Sequence, residues 1–184
     1  QHQYATRCFC PPNFYGDRCQ HQGERVAITL RLYPVSKQGI QSFFVSLISE
    51  NNQGRQELYS YHQFSYVVEN NCGKTFKFFL LYPTRPKNIS LRYLIRIDAY
   101  DQRTLTYLAS WRYPIPFLFL PVNPMVIAIR VPLKALSSRS LRCPLSCQHG
   151  QCLKYLNNGE FYCQCVSGWT GRRCEEAVNC ADCA

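Results

Sequence analysis

The chain has 184 residues, 12 of them cysteine, and its 21 Lys and Arg exceed its 11 Asp and Glu to give a net charge of +10. Cysteine at this density is typical of an oxidising compartment, so the composition argues against a cytosolic protein and predicts an extracellular, secreted one. The positive charge predicts attraction to acidic polysaccharide or anionic lipid headgroups, with no nucleic acid as partner, although simple solubility explains the charge equally well.

The cysteines predict four parts along the chain. Three lie in residues 1–21, Cys72 stands alone, and eight crowd into the last 42 residues, starting at Cys143. The predicted parts are residues 1–21, 22–141, 142–175 and 176–184. The second part is long enough to bury its own hydrophobic core, whereas the short ends need crosslinks. Because the chain begins at Gln1 without methionine, we expect a processed product or a segment of a longer protein.

Residues 1–21 contain a motif that recurs near the other end of the chain. Cys8 and Cys10 are separated by one residue, and after five further residues come Gly16, two residues and Cys19. The same spacing recurs from Cys163 to Cys174. A disulfide-closed two-stranded turn needs glycine for its backbone freedom, so both copies predict a small stapled module.

Residues 22–141 alternate apolar and polar side chains with the period of half-buried strands. Strands are predicted at residues 26–32, 42–48, 64–68, 75–82, 91–99, 104–111 and 125–131. About seven short strands separated by turn signals favour an antiparallel β-sandwich over a barrel, without indicating the strand order. The residues predicted to point inward are Val26, Ile28, Leu30, Tyr93, Ile95, Ile97, Ile127 and Ile129.

The most apolar stretch, residues 115–131, is interrupted by Pro116, Pro121 and Pro124. It is too short and too broken to cross a bilayer, so we predict no membrane span. The apolar segment 117–120 between two of these prolines could be an exposed loop that inserts into lipid or a partner. We expect buried strand or edge packing instead.

Residues 142–175 hold six cysteines, and this is where the chain resembles the EGF-like family. The resemblance covers a complete module at 143–174 and the last three cysteines of another module at 8–19. It implies an order of first to third, second to fourth and fifth to sixth, where spacing alone allows fifteen connectivities. The implied pairs are Cys143 with Cys152, Cys147 with Cys163, Cys165 with Cys174 and, in the partial module, Cys10 with Cys19. The fold class that follows is mainly β, an antiparallel sandwich flanked by small disulfide-rich EGF-like modules.

The whole chain also resembles segments of large uncharacterised invertebrate extracellular proteins with EGF repeats. The resemblance rests on the segments 79–87, 95–100, 110–111 and 116–122, with the cysteines that follow them. It implies location and architecture and no defined activity.

Metal and catalytic chemistry have little support in the sequence. Calcium-binding EGF-like modules carry acidic residues before the first cysteine, but Ser140, Leu141 and Arg142 supply none. The four histidines form no zinc-like pair, and no Gly-x-Ser-x-Gly, phosphate loop or paired catalytic carboxylates occur. Asp98 and Asp101 could rim a calcium loop, although capping a turn is the better interpretation. We therefore expect no enzyme, no cofactor and no metal.

Two positions predict glycosylation. Asn88-Ile-Ser90 is an N-glycosylation acceptor in a predicted surface loop. Thr170 lies in a context that resembles EGF-like modules whose threonine carries O-linked N-acetylglucosamine, with an unmodified polar turn as an equal alternative.

Four cysteines remain: Cys8, Cys72, Cys180 and Cys183. The last two form a Cys-x-x-Cys pair, which could be a redox motif or half a zinc site, but its place after a finished module favours the first two cysteines of a further module. If the end of one copy joins the start of the next, Cys183 of the first copy would pair with Cys8 of the second. Cys180 of the first copy would then pair with Cys72 of the following copy. The alternatives are repeats of one giant chain, or a Cys8–Cys72 bond within one chain.

We therefore interpret the chain as a non-catalytic structural protein, a repeat unit of a fibre, matrix or cuticle that assembles head to tail with copies of itself through modules and disulfides. The alternative is an adhesion or receptor segment whose basic sandwich binds an acidic glycan or a protein ligand.

Overall fold

A computed structural model describes residues 8–11, 14–34, 39–51, 56–68, 73–132 and 143–178. Within them the chain forms thirteen β-strands. In order, they are β1 (Phe14–Tyr15), β2 (His21–Gln22), β3 (Arg25–Pro34), β4 (Ile40–Glu50), β5 (Gln56–Val67), β6 (Thr75–Leu81), β7 (Arg92–Asp101), β8 (Tyr107–Pro114), β9 (Val122–Val131), β10 (Gly150–Lys154), β11 (Phe161–Cys165), β12 (Trp169–Thr170) and β13 (Glu176–Ala177).

Strands β3 to β9 form two facing sheets. The three-stranded sheet has the order β6-β3-β9, and the four-stranded sheet has the order β5-β4-β7-β8. The predicted mainly β fold, with a disulfide-rich module beside it, is confirmed. The remaining strands pair as three small two-stranded sheets, β1 with β2, β10 with β11 and β12 with β13.

The hydrophobic core lies between the two sheets, where the apolar members of each alternating strand meet. All eight residues predicted to point inward are buried, none more than 3% exposed. Burial of this set fixes the register, because a slip by one residue would turn every apolar side chain of a strand to water. Phe43, Tyr66 and Trp111 complete the core with large rings from the four-stranded sheet.

One strand pair departs from the antiparallel prediction. Strands β3 and β9 run parallel, from Arg25 opposite Val122 to Pro34 opposite Val131, whereas the other pairings of the two sheets are antiparallel. Alternation reports which face a residue takes and carries no information on strand direction. The chain crosses from β8 in one sheet to β9 in the other, and it enters the second sheet beside β3 in the same direction as that strand.

Strands β5 and β6 close one side of the sandwich. The rings of His62 and Phe78 stack with centroids 4.3 Å apart, and those of Phe64 and Phe76 stack at 4.4 Å. Ser60 Oγ donates a hydrogen bond of 3.0 Å to the carbonyl of Leu81. The two sheets are therefore joined along this side, while β8 and β9 are the outer strands on the other.

The loop between β8 and β9 corrects an expectation. Phe117 and Phe119 are 65% and 77% exposed, so the prediction of buried packing was wrong for these two residues, whereas Leu118 between them packs against the core. The flanking prolines lack the N–H that a strand ladder needs, which leaves the segment as a loop. Two hydrogen bonds hold the end of this loop in place. The Leu120 carbonyl accepts them from the ammonium of buried Lys87 and, at 3.2 Å, from the Asn123 amide. In the parts of the chain that the structure describes, no helix has the length and apolar character needed to cross a bilayer.

We predict that replacing Ile95 by Ala lowers the free energy of unfolding by about 2–5 kcal/mol, because the side chain is fully buried between the sheets. Urea unfolding followed by tryptophan fluorescence measures the change. The matched control is Val126→Ala on β9, whose side chain is 85% exposed and whose truncation should change stability by no more than about 0.5 kcal/mol. An Ile95→Ala variant as stable as the parent would contradict its place in the core.

Candidate functional site: the interface between the module and the sandwich

The cysteine-rich module at 143–178 is built on two small hairpins. Disulfides join Cys143 with Cys152, Cys147 with Cys163 and Cys165 with Cys174, the pairs that the EGF-like resemblance implies. Gly150 begins strand β10 opposite Cys165 of β11. A Cβ atom there would lie 2.4 Å from the Gln164 carbonyl oxygen, so only glycine allows the close approach.

The turn between β10 and β11 lies against the outer edge of strand β8. The Leu156 N–H donates to the Ser110 carbonyl at 2.9 Å. The Asn157 side chain then copies a backbone amide, with its Oδ1 accepting from the Arg112 N–H at 2.9 Å and its Nδ2 donating to the Arg112 carbonyl at 2.5 Å. Unpaired edge groups invite pairing with other chains, and here the module satisfies them.

A chain of hydrogen bonds continues from the sheet into the module. Arg96 Nε donates to Asp98 Oδ1 at 2.9 Å, and Ser110 Oγ donates to the same carboxylate oxygen. The Tyr107 hydroxyl donates to Ser110 Oγ at 2.9 Å and shares a hydrogen bond with the Tyr162 hydroxyl of the module. Ser110 is fully buried, so these polar groups are satisfied by one another rather than by solvent.

Aromatic rings pack around this network. Tyr155 and Tyr162 stack with centroids 4.2 Å apart. The guanidinium carbon of Arg96 lies 5.0 Å from the Tyr162 ring centroid, close enough for a cation–π contact. Leu153, Tyr155 and Tyr162 form the buried apolar centre of the module, with Tyr107 of the sandwich packed against it.

Burial raises the pKa values of the phenols at this interface. It raises the pKa of Tyr155 to about 12, and it raises those of Tyr107 and Tyr162 above the usual range of a phenol. The three hydroxyl groups therefore keep their protons at physiological pH. The hydrogen bond between the Tyr107 and Tyr162 hydroxyls across the interface therefore does not depend on pH in that range.

Arg112 links the module to the sheet by charge as well as by backbone. Its guanidinium makes ion pairs with Glu50 on β4 and with Glu160 in the turn of the module. The pair with Glu50 is largely shielded from water, with side chains 20% and 24% exposed, and is less screened than a surface pair, whereas Glu160 is 54% exposed. The arginine holds together two elements that are 110 residues apart in sequence.

A groove of about 1200 Å³ runs between the module and the outer face of the four-stranded sheet. Its lining combines tyrosine and tryptophan rings with both signs of charge. The ionic and large aromatic residues are Glu50, Glu57, Tyr59, Arg92, Arg96, Tyr100, Arg112, Tyr155, Glu160, Phe161, Tyr162, Trp169, Arg172 and Glu176. Because the charges offset one another, the groove does not select a strongly charged ligand.

Of the other residues predicted from the sequence, Thr170 lines the groove, whereas the partial module and Asn88 lie away from it. Cys10 is bonded to Cys19 in the partial module, and Cys8 is exposed and is the one cysteine of the described residues without a disulfide. Asn88 is exposed in a turn, where its Oδ1 accepts a hydrogen bond of 2.9 Å from the Ser90 N–H. Thr170 is exposed on β12. Cys72, Cys180 and Cys183 lie outside the described residues.

The two aspartates weighed as calcium ligands have separate roles. Asp98 belongs to the interface network. Asp101 caps the turn after β7, where Oδ1 accepts from the Thr104 N–H and hydroxyl and from the Arg103 N–H, and these hydrogen bonds lower the pKa of its carboxyl. Across the described ranges no group of three or more His, Cys, Asp or Glu side chains is arranged to hold a metal ion.

Of the residues in this network, the sequence points to a function only for Asp98, and that function is calcium binding or turn capping. Arg96 and Asp98 alternate with buried residues on β7, which is the pattern of a face in water. The outer face of a sheet carries polar residues whether it meets water or a polar surface of another module. The alternation of apolar and polar residues in the sequence is the same in both cases. The one available signal was the concentration of Tyr and Asn in residues 155–162 of the module.

Comparison with known proteins identifies the module only. The model of the EGF-like domain family matches residues 141–173, which together with the disulfides is consistent with an extracellular location. No curated protein matches the chain, so its likeness to large invertebrate proteins stays a prediction. An alternative pilotin from the type II secretion system of Vibrio cholerae is similar at 11% identity and a TM-score of 0.44, over 59% of this chain and 96% of the pilotin. That score is too low to carry an argument.

We predict that Asn157→Ala loosens the module from the sandwich, because two hydrogen bonds to the β8 edge are lost at about 0.5–1.5 kcal/mol each. Amide hydrogen exchange measures it directly, since the Arg112 N–H loses its acceptor and should exchange faster. Asn158→Ala is the matched control, because Asn158 caps the same turn by accepting from the Glu160 N–H. Equal protection of the Arg112 amide in both variants would contradict the docking.

Proposed function

We propose that this chain is a non-catalytic extracellular structural protein, a repeat unit of a fibre, matrix or cuticle. In this proposal copies of the chain assemble head to tail through EGF-like modules and disulfides. Neither a membrane span nor a cofactor takes part.

The docked module is the observation that carries the proposal. A module connected only by a linker would move freely relative to the sandwich. The spacing between neighbouring units in an assembly of such chains would then vary. Here the module completes the edge of a sheet and shares a buried polar network with it. Such a unit holds a fixed spacing between its neighbours, which is what a structural array needs.

Cys8 supports the covalent part of the proposal. It is exposed and has no disulfide among the described residues, and an exposed thiol in an oxidising compartment is available for pairing. In the proposed assembly two disulfides join neighbouring copies. Cys183 of one copy bonds Cys8 of the following copy, and Cys180 bonds Cys72 of the following copy. Two rival schemes are repeats of one long chain and a Cys8–Cys72 bond within one chain.

A second candidate function is adhesion, in which the basic sandwich binds an acidic glycan. The observation that favours it is the position of the carboxylates. Glu50 and Asp98 are paired with arginines beside the module, and Glu24 is paired with Lys87. Much of the acidic charge of the described sandwich is thus neutralised locally, so the remaining cations set the sign of its surface potential.

We predict that the native protein runs as a ladder of covalent multimers on a gel without reductant, and that the double variant Cys8→Ser with Cys72→Ser collapses the ladder to monomer. This variant removes one partner of each of the two proposed intermolecular bonds. The double variant Cys180→Ser with Cys183→Ser should have the same effect, because it removes the other partner of each bond. Peptide mapping that finds Cys8 bonded to Cys72 within a monomer would contradict the assembly and leave the docked module unaffected.

We also predict an N-glycan on Asn88 when the protein comes from its native eukaryotic source, because the acceptor sequence lies in an exposed turn. Intact mass before and after enzymatic deglycosylation measures it, and Ser90→Ala should abolish the mass difference. Thr170, also exposed, is the corresponding candidate for O-linked N-acetylglucosamine. An unchanged mass, with unmodified Asn88 in the peptide map, would refute the prediction.

A further inference from the structure

The outer face of the three-stranded sheet is exposed on the opposite side of the sandwich from the module. Alternation sets which residues point outward, since Val26, Ile28, Leu30 and Leu32 point into the core. The exposed outward positions include cations and apolar groups. They are Arg31 and Tyr33 on β3, Thr75, Lys77 and Phe79 on β6, and Pro124, Val126, Ala128 and Arg130 on β9.

Three of these residues are cations that lie on one diagonal across the sheet. Lys77 pairs in register with Thr29, Arg31 lies two residues further along β3, and Arg130 pairs with Tyr33, two residues further again. Each step along the diagonal crosses one strand and advances two residues, so neighbouring Cα atoms are about 8 Å apart. The three charges therefore form a regular row about 16 Å long.

No carboxylate shares the face among the described residues. Lys77, Arg31 and Arg130 make no ion pair there, and the Arg31 guanidinium carbon rests 5.3 Å from the Tyr33 ring centroid. The ring holds the arginine along the surface without neutralising it. A row of unpaired cations on a flat face attracts a ligand that carries repeated negative charge.

We infer that this face is a binding site for a linear acidic polysaccharide, whose sulfate or carboxylate groups pair with Lys77, Arg31 and Arg130 in turn. The inference rests on the second proposed function, adhesion, and assigns it a site. Arginine presents a planar pair of donors to such oxyanions. The flat face suits an extended chain, which needs no pocket.

An anionic bilayer is the competing occupant, and the geometry disfavours it. The exposed apolar loop with Phe117 and Phe119 precedes β9, whereas Arg130 lies near the end of that strand. Lys77 is level with Val126 through Thr29 and so lies about 13 Å along the strand direction from Val122, whereas Arg130 lies about 26 Å from it. The row therefore runs away from the loop, and a membrane that receives the loop end-on does not contact all three cations.

The test measures binding of the full chain to heparin, a sulfated polysaccharide, by titration calorimetry at about 0.15 M salt. The site variant carries Lys77→Gln, Arg31→Gln and Arg130→Gln. The matched control carries Arg18→Gln, Arg103→Gln and Arg173→Gln, three exposed arginines elsewhere on the surface. Both variants lose three positive charges, so they separate a site from net charge.

We expect the site variant to raise the Kd about tenfold or more, which is about 1.4 kcal/mol, with the control changed less than about twofold. Lys77→Glu alone should weaken binding in the same direction, which covers the case of a triple variant that folds poorly. Equal weakening by both triple variants overturns the assigned face and leaves adhesion standing. A parent protein that ignores heparin removes adhesion as well, and one that binds phosphatidylserine vesicles instead overturns the ligand class.

Discussion

The backbone groups along the outer edge of β8 are the constraint on which the arrangement of this protein depends. A sheet edge leaves N–H and C=O groups that must find partners in water or in protein. Here the turn of the EGF-like module supplies them, through the Leu156 amide and the Asn157 side chain. Because the edge is satisfied by a neighbouring module, that module cannot leave without exposing both the edge and the buried Ser110. The sandwich and the position of the module therefore depend on each other.

The same edge explains why the polar network and the aromatic cluster lie where they do. Once the turn is anchored on Arg112, Tyr162 is brought over Arg96 and beside Tyr107. Each of these contacts alone would be modest, since hydrogen bonds and cation–π pairs usually contribute about 1 kcal/mol. Their joint effect is to exclude water from a small area and so strengthen one another. A proposed structural role follows from this cooperation, because it makes the unit stiff.

Much of the sandwich could be predicted from the sequence, because alternation reports burial directly and the eight inward residues are where it places them. The parallel direction of β9 could not be predicted, since the alternation of apolar and polar residues is the same for parallel and antiparallel strands of this kind. Nor could the interface, because Arg96 and Asp98 satisfy each other under a cover that only the folded chain brings to them. The exposed Phe117 and Phe119 were misjudged for a related reason, as their apolarity outweighed the effect of the prolines on either side. Cysteine spacing was the most informative signal, and it concerned the EGF-like module and the partial module with its Cys10–Cys19 disulfide.

The parallel pairing of β3 with β9 has a mechanical consequence. Arg25 begins one of these adjacent strands and Val131 ends the other, and ten residue pairs join the two strands between them. A pull that separates Arg25 from Val131 drags the strands lengthwise past each other. The strand pair is then loaded in shear, so the hydrogen bonds between the two strands resist the force together and do not open one at a time from an end. Forced unfolding is governed by the unfolding rate, which here is the rate at which these hydrogen bonds break together. The pairing of β3 with β9 therefore makes the sandwich resist tension applied along its strands.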